Sequence, residues 1–261
     1  MNTPTPPRRS GFDTSLVPRS YSTTRTPANP DHPTQQPRLI LATHNRGKVA
    51  ELLAILRSHP ELATLPEGAI VTAAEVGAVA PLEDGTSFAE NALLKARALA
   101  AATGLPAVAD DSGLAVDVLG GSPGIFSALW SGRHGDDAAN LNLLLAQLAD
   151  IRLPEQRRAG FVCAAALVTP DGTETVCYGE MRGTLIDAPR GMNGFGYDPI
   201  LVPDEQAPSS AGSPGARTAA ELDPTEKNAI SHRGKAFRAL ATAITTTLAQ
   251  PLLCEGLPSS H

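Results

Sequence analysis

The chain has 261 residues, a formal net charge of -6 and 42% hydrophobic residues. That length permits up to two domains, and the apolar fraction is enough for a sizeable core. The acidic balance argues against a protein that holds duplex DNA by long-range attraction, but leaves room for a local basic pocket and a small phosphorylated ligand. With aromatics at only 4%, the core must be built largely from Ala, Leu and Val. No stretch is long and apolar enough to suggest a membrane span. Cys163 and Cys177 lie in or beside apolar runs without ligand spacing and read as small hydrophobes.

Residues 1–37 carry eight prolines and many Ser and Thr, with no helix or strand period. Such a composition buries too little apolar surface to order itself, so this stretch is expected to be a disordered, dispensable tail. A folded domain is expected over 38–250, followed by a C-terminal tail over 251–261.

Arg38 to Ala42 reads as a short buried strand. Thr43-His44-Asn45-Arg46-Gly47-Lys48 follows, and then a helix with Val49, Leu52, Leu53 and Leu56 on one face. Strand, polar glycine-bearing loop, helix is a favoured geometry for a phosphate, because unpaired N–H groups and the helix dipole both point at the anion. Thr43 and Asn45 can donate and Lys48 adds charge; an Asn-capped helix with a solvated lysine is the plainer alternative. Ile70-Val71 and Val76 to Val79 are candidate strands or connections. Glu83 lies in an acidic turn and either faces solvent or binds a metal. Ser87-Phe88-Ala89-Glu90 fits a capping box opening a helix to about Thr103, with Gly104 as C-cap. Asn91 and Lys95 share a face of that helix, either solvated or backing the acidic stretch that follows.

Asp110-Asp111-Ser112-Gly113 separates two apolar runs and reads as an acidic loop at the end of a strand. Its adjacent carboxylates repel, and a divalent cation is the obvious compensation. Gly120 to Gly124 is a firm turn signal. Arg133 to Asp137 opens a helix whose Leu141, Leu144, Leu145 and Leu148 share a side; His134 reads as a surface or packing residue. Phe161 to Val168 is the strongest strand pattern. The Asp171-Gly172 turn lets Thr175 to Glu180 return antiparallel, so the sheet is expected to be mixed.

Gly191-Met192-Asn193-Gly194-Phe195-Gly196-Tyr197-Asp198-Pro199 is glycine-rich enough for a ligand to approach closely. Phe195 offers a face to a base, and Asp198 offers acceptors to ring N–H groups. Residues 204–218 read as a flexible insertion. Lys227 to Lys235 precedes a final helix with Phe237, Leu240, Ala241 and Ile244 on its apolar face. His232 and Arg233 sit near its start, where positive charge opposes the dipole and an anionic ligand would offset the cost.

Six ordered segments together resemble the noncanonical purine nucleoside triphosphate pyrophosphatases, the inosine/xanthosine triphosphate pyrophosphatase family. They are Thr43 to Lys48, Ser87 to Ala96, Ala109 to Leu114, Gly121 to Ile125, Gly194 to Pro199 and Ser231 to Gly234. The likeness spans about residues 39–246. It implies an α/β fold with an elongated mixed central sheet and flanking helices forming two lobes around an active-site groove. It also implies a homodimer; the cytoplasm is the default location, no membrane partner is expected, and the acidic balance and scarce aromatics disfavour a nucleic-acid partner. The implied reaction is Mg2+-dependent hydrolysis of ITP, dITP and XTP to the monophosphate and pyrophosphate, which cleanses the nucleotide pool.

By the same likeness Glu83 and Asp111 hold the metal, and Asp111 is the proton acceptor, with Asp110 and Lys95 beside it. Thr43, Asn45 and Lys48 hold the phosphates, with His44, Arg46 and Gly47 in the same substrate-binding loop and His44 standing where the family commonly has a small residue. Ser112 lines the substrate site. Phe195 stacks on the purine, with Gly196 and Tyr197 beside it in the substrate-binding set. Asp198, Lys227, Ser231, His232 and Arg233 read the base edge and hold the ligand. Two rival classes are a nucleotide diphosphatase acting on modified pyrimidines and a catalytically silent nucleotide- or RNA-binding protein.

Overall fold

In the computed structural model the described residues are 37–43, 46–58, 60–206 and 216–249. The Pro-rich N-terminal stretch, His44, Asn45, most of the 204–218 insertion and the C-terminal tail lie outside them. Six strands form one mixed sheet in the order β2-β1-β3-β4-β5-β6. β1 (Leu39–Leu41) pairs in parallel with β2 (Ile70–Thr72) and with the start of β3 (Ala107–Val116). β3, β4 (Arg158–Val168), β5 (Glu174–Leu185) and β6 (Leu201–Pro203) are successively antiparallel. The β4–β5 hairpin turns through Asp171-Gly172 as expected, where Gly172 takes φ 87°. Val76 to Val79 forms no strand.

Among the described residues the α-helices are α1 (Arg46–Arg57), α2 (Phe88–Thr103), α3 (Asp137–Gln147), α4 (Pro224–Ile230) and α5 (His232–Ala249). Among the described residues no helix is long and apolar enough to cross a membrane. α2 begins and ends where its sequence signals lie. Ser87 Oγ accepts from Glu90 N at 3.2 Å, and Gly104 closes the helix at φ 67°. The capping box is only half formed. Glu90 accepts from the Thr86 N–H and hydroxyl at 2.6 and 2.7 Å, one residue before the cap.

The core divides along the long strands. On one face Val108, Cys163, Ala165 and Leu167 pack with Leu52 and Leu56 of α1 and Phe237, Leu240 and Ile244 of α5. On the other face Ala107, Ala109, Ala164 and Ala166 pack with Ala92, Ala96 and Leu99 of α2. A third cluster joins Leu114, Phe161, Met181 and Leu185 to Leu141 and Leu144 of α3 at the far end of the same strands. Small alanines on the α2 face let that helix lie close to the sheet, which is how a chain poor in aromatics fills its interior.

Gly179 of β5 shows how tight this packing is. A Cβ there would stand 2.1 Å from the His232 carbonyl oxygen and 2.5 Å from Ala236 N. Backbone cannot yield as a side-chain tip can, so Gly179→Ala must push the start of α5 off the sheet. Overpacking of this kind costs about 1–3 kcal/mol. Thermal unfolding of the variant is expected to show a Tm lower by roughly 2–12 °C. An unchanged Tm would show that α5 has slack at this point.

Candidate active site

Asp110 and Asp111 are not in a loop. The two apolar runs around them are one continuous strand, β3, in which Asp110 pairs with Ala165 and Asp111 with Ala164. Side chains alternate along a strand, so the two carboxylates turn to opposite faces of the sheet. Each finds its own cation. Asp110, 5% exposed, faces α5 and accepts from Arg233 Nε at 3.0 Å and Ser112 Oγ at 3.4 Å. Asp111 faces α2 and accepts from Lys95 Nζ at 3.2 Å and Asn91 Nδ2 at 3.3 Å. The repulsion expected between neighbours is therefore relieved by the pleat and by two separate positive charges.

α2 thus backs the acidic stretch through Asn91 and Lys95, while Glu90 faces outward and caps. Asn91 is buried, and its Oδ1 accepts from Gly85 N at 2.9 Å, which holds the Glu83-Asp84-Gly85 turn beside β3. Glu83 reaches the same ammonium as Asp111, with Lys95 Nζ to Glu83 Oε2 at 3.4 Å. Burial pushes the Asp111 carboxyl above its ordinary value, against the opposing pull of Lys95 and Asn91.

The carboxylate oxygens of Glu83 and Asp111 converge on one positive charge, and a hard cation bound through one or two carboxylates takes its remaining ligands from water and phosphate. No cluster of three or more His, Cys, Asp or Glu residues suited to a metal occurs among the described residues. The pair fits Mg2+ in the presence of a phosphate chain, and is too small a set to hold a cation alone.

Arg233, at the start of α5, has a counter-charge within the protein. Arg233 pairs with Asp110, and His232, buried, stacks on Phe161 with ring centroids 5.0 Å apart. Ser231 is also buried, and its Oγ accepts from Gly234 N at 2.9 Å, so this hydroxyl caps α5. Lys227 lies on the separate short helix α4, which Asp223 and Glu226 open with a complete capping box.

The glycine-rich segment forms the other wall. Phe195 is 64% exposed, and Lys227 Nζ sits 5.5 Å from its ring centroid. Asp198 is buried, and its Oδ2 accepts from Phe195 N at 2.8 Å and from Lys227 Nζ. These bonds hold the Phe195 segment against α4. Tyr197 is buried too, and its hydroxyl donates to the Ser127 carbonyl at 2.9 Å. Gly194 takes φ 78°, and a Cβ there would stand 2.1 Å from Asp198 Oδ2. A glycine is required at this close approach.

Between these walls lies a cavity of about 340 Å³, bordered by Ser112, Phe195, Asp198, Lys227, His232 and Arg233. It abuts a larger groove of about 860 Å³ containing Glu83, Lys95, Asp110, Asp111 and His134, and Ser112 and Arg233 border both spaces. A further hollow of about 250 Å³ joins Glu83, Lys95 and Asp110 to Thr43, which is buried. The described members of the candidate set are thus brought to one connected site. His44 and Asn45, and the side chains of Arg46, Gly47 and Lys48, lie outside the described residues. His134, read as a surface residue, is exposed but borders the groove. Asp137, Asn91 and Gly179 also shape the site. Only Asn91 carried a sequence signal, its four-residue spacing from Lys95.

The model of the Ham1 family matches residues 39–243. A dITP/XTP pyrophosphatase of Streptomyces coelicolor is 60% identical over 211 residues, covering 81% of this chain and 98% of that protein. The crystal structure of a nucleoside-triphosphatase, dITP/XTP pyrophosphatase, from Mycobacterium abscessus is 50% identical with TM-score 0.61, over 78% of this chain and 98% of that one. A HAM1 protein from Coxiella burnetii is 39% identical with TM-score 0.68, over 81% of this chain and all of the other. With the family model spanning both walls of the groove and relatives of this identity matched over nearly their full length, the chain belongs to the Ham1 family.

Proposed function

We propose that this chain is a pyrophosphohydrolase that cleaves ITP, dITP and XTP to the nucleoside monophosphate and pyrophosphate, with Mg2+. The observation that carries this reading is the continuity of the site. A cavity with one aromatic face opens, past Ser112 and Arg233, onto a groove holding Lys95 and the Glu83 and Asp111 carboxylates. A base, a sugar and a phosphate chain follow one another in that order. The printed activity of the Streptomyces and Mycobacterium relatives supports the same substrate class.

In this mechanism Phe195 stacks on the purine and Lys227 donates to its O6. Adenine presents an amino group there and offers no acceptor. Arg233 and Ser112 stand where the sugar and the first phosphate pass. Asp111 accepts the proton of the water that attacks the α-phosphorus; its raised affinity for protons, which comes from burial, suits a general base. Lys95 orients Asp111 and offsets negative charge as the bond to the β-phosphate breaks. When bound through Glu83 and Asp111, Mg2+ supplies neutralisation of the phosphate oxygens. A homodimer and a cytoplasmic location belong to the same proposal.

Pyrophosphate release measured with Mg2+ across ITP, dITP, XTP, ATP, GTP, CTP and UTP tests it. Strong release from the first three alone is the expected result. A flat profile, or a preference for a pyrimidine, would overturn the substrate assignment.

A further inference from the structure

The Phe195 segment is a thin wall. On one side is the cavity described above. On the other is a second hollow of about 380 Å³, bordered by Leu141, Met192 and Pro199. Little side-chain mass backs the loop against this space, since Met192 is 97% exposed. Three of the segment's residues, Gly191, Gly194 and Gly196, hold positive φ values of 87°, 78° and 60°. Glycines leave the backbone free to relax unless hydrogen bonds fix it. Two such bonds grip the Phe195 residue from either end. Its own N–H donates to Asp198 Oδ2 at 2.8 Å, within the loop. The next N–H, that of Gly196, donates at 2.9 Å to Oδ2 of Asp137, 59 residues away at the first turn of α3.

We propose that Asp137 is a positioning residue for base recognition, the tether at Gly196 that, beside the Asn193 and Tyr197 bonds of the same segment, holds the Phe195 ring over the cavity. It stands at the junction of the two hollows and borders both. Its charge also helps hold the Tyr197 hydroxyl protonated, after the larger effect of burial, so that this hydroxyl stays a donor to Ser127. Without Asp137 the loop keeps its bonds through Asp198, Asn193 and Tyr197 but loses its contact with α3 at Gly196, next to the ring, where the space behind it is open. The proposal rests on the reading of the cavity as the base site.

The test uses the full chain with Asp137→Ala, Asp137→Asn, Phe195→Ala and the Asp137→Ala/Phe195→Ala double variant. For each, kcat and KM for dITP are measured, with inhibition constants for IMP and for pyrophosphate. A hydrogen bond to a charged acceptor is worth about one power of ten in binding. Asp137→Ala is therefore expected to raise the KM for dITP and the IMP constant about tenfold. The pyrophosphate constant should stay within about twofold, because pyrophosphate makes no base contact. Asp137→Asn, which keeps an acceptor oxygen, should recover most of the loss. In the Phe195→Ala background the Asp137→Ala change should add less than about twofold, since the ring it positions is gone.

Equal weakening of IMP and pyrophosphate would make Asp137 a general stabiliser and overturn the proposal. So would additive effects with Phe195→Ala, or an unchanged IMP constant. A parent chain that neither cleaves dITP nor binds IMP would defeat the base-site reading itself, and the proposal with it. That outcome is seen in the parent alone, before any variant is compared.

Discussion

Asp111→Asn is expected to lower kcat for dITP by at least about two powers of ten, because a positioned carboxylate that accepts a proton contributes on that scale. The substitution preserves volume and can still accept from Lys95 or Asn91, so the packing of α2 on β3 should survive. What is lost is a charge and a base. Asp111 holds its proton more tightly than an exposed carboxylate because it is buried, and Lys95 and Asn91 keep that effect in check. An amide in the same place has no proton affinity to offer the attacking water. Lys95 keeps Glu83 as a partner at 3.4 Å, so the ammonium is not left without a counter-charge. KM should move less than kcat, since the proton acceptor acts in the transition state rather than in substrate binding. Steady-state pyrophosphate release at saturating dITP and Mg2+ measures this. Turnover within about tenfold of the parent would remove Asp111 from the chemistry.

Asp110→Ala is expected to act mainly on the fold. Asp110 and Arg233 form a part-buried pair, with side chains 2% and 14% exposed, joining β3 to α5 across 123 residues of sequence. Removing the Asp110 carboxylate takes this counter-charge from Arg233, which for a buried pair costs up to about 3–5 kcal/mol. For a domain of this size that corresponds to a Tm lower by roughly 6–20 °C. The loss should be partly recovered by the double variant Asp110→Ala/Arg233→Met. There the stranded guanidinium is replaced by an apolar side chain of similar length, and replacing both members of a buried pair is often near neutral. Circular dichroism melting curves of the single and double variants decide it. A single variant that melts within about 2 °C of the parent would mean that solvent, not Asp110, carries the Arg233 charge. The double variant is not expected to regain activity, because Arg233 also borders the junction of cavity and groove.

Much of this molecule was legible before any coordinates. Ser87 and Gly104 bracket α2 as a cap and a left-handed stop, and the Asp171-Gly172 turn joins the two longest strands. The apolar stripe of Val49, Leu52, Leu53 and Leu56 is buried or packed against the core. These features depend on neighbours within a few residues, where capping, helical period and turn geometry act directly. The six ordered motifs likewise pointed to the family that the comparisons establish.

Other features depended on partners far along the chain. Asp110 and Asp111 read as one acidic loop, yet the pleat sends them to opposite faces, and Arg233 and Lys95 then give them separate environments. Asp198 reads as a ligand contact, and its Oδ2 is also bound by Lys227 of the separate helix α4. The sites of Gly179 and Asp137 carried no local signal at all. Gly179 is constrained by the carbonyl of His232, and Asp137 is joined to the loop by the N–H of Gly196. The sequence by itself determined the elements, their ends and the inventory of chemical groups. Only the tertiary structure decided which of those groups face the groove and which are spent holding it, because contacts such as Asp110 with Arg233 and Gly196 with Asp137 join separate segments whose register no local pattern encodes.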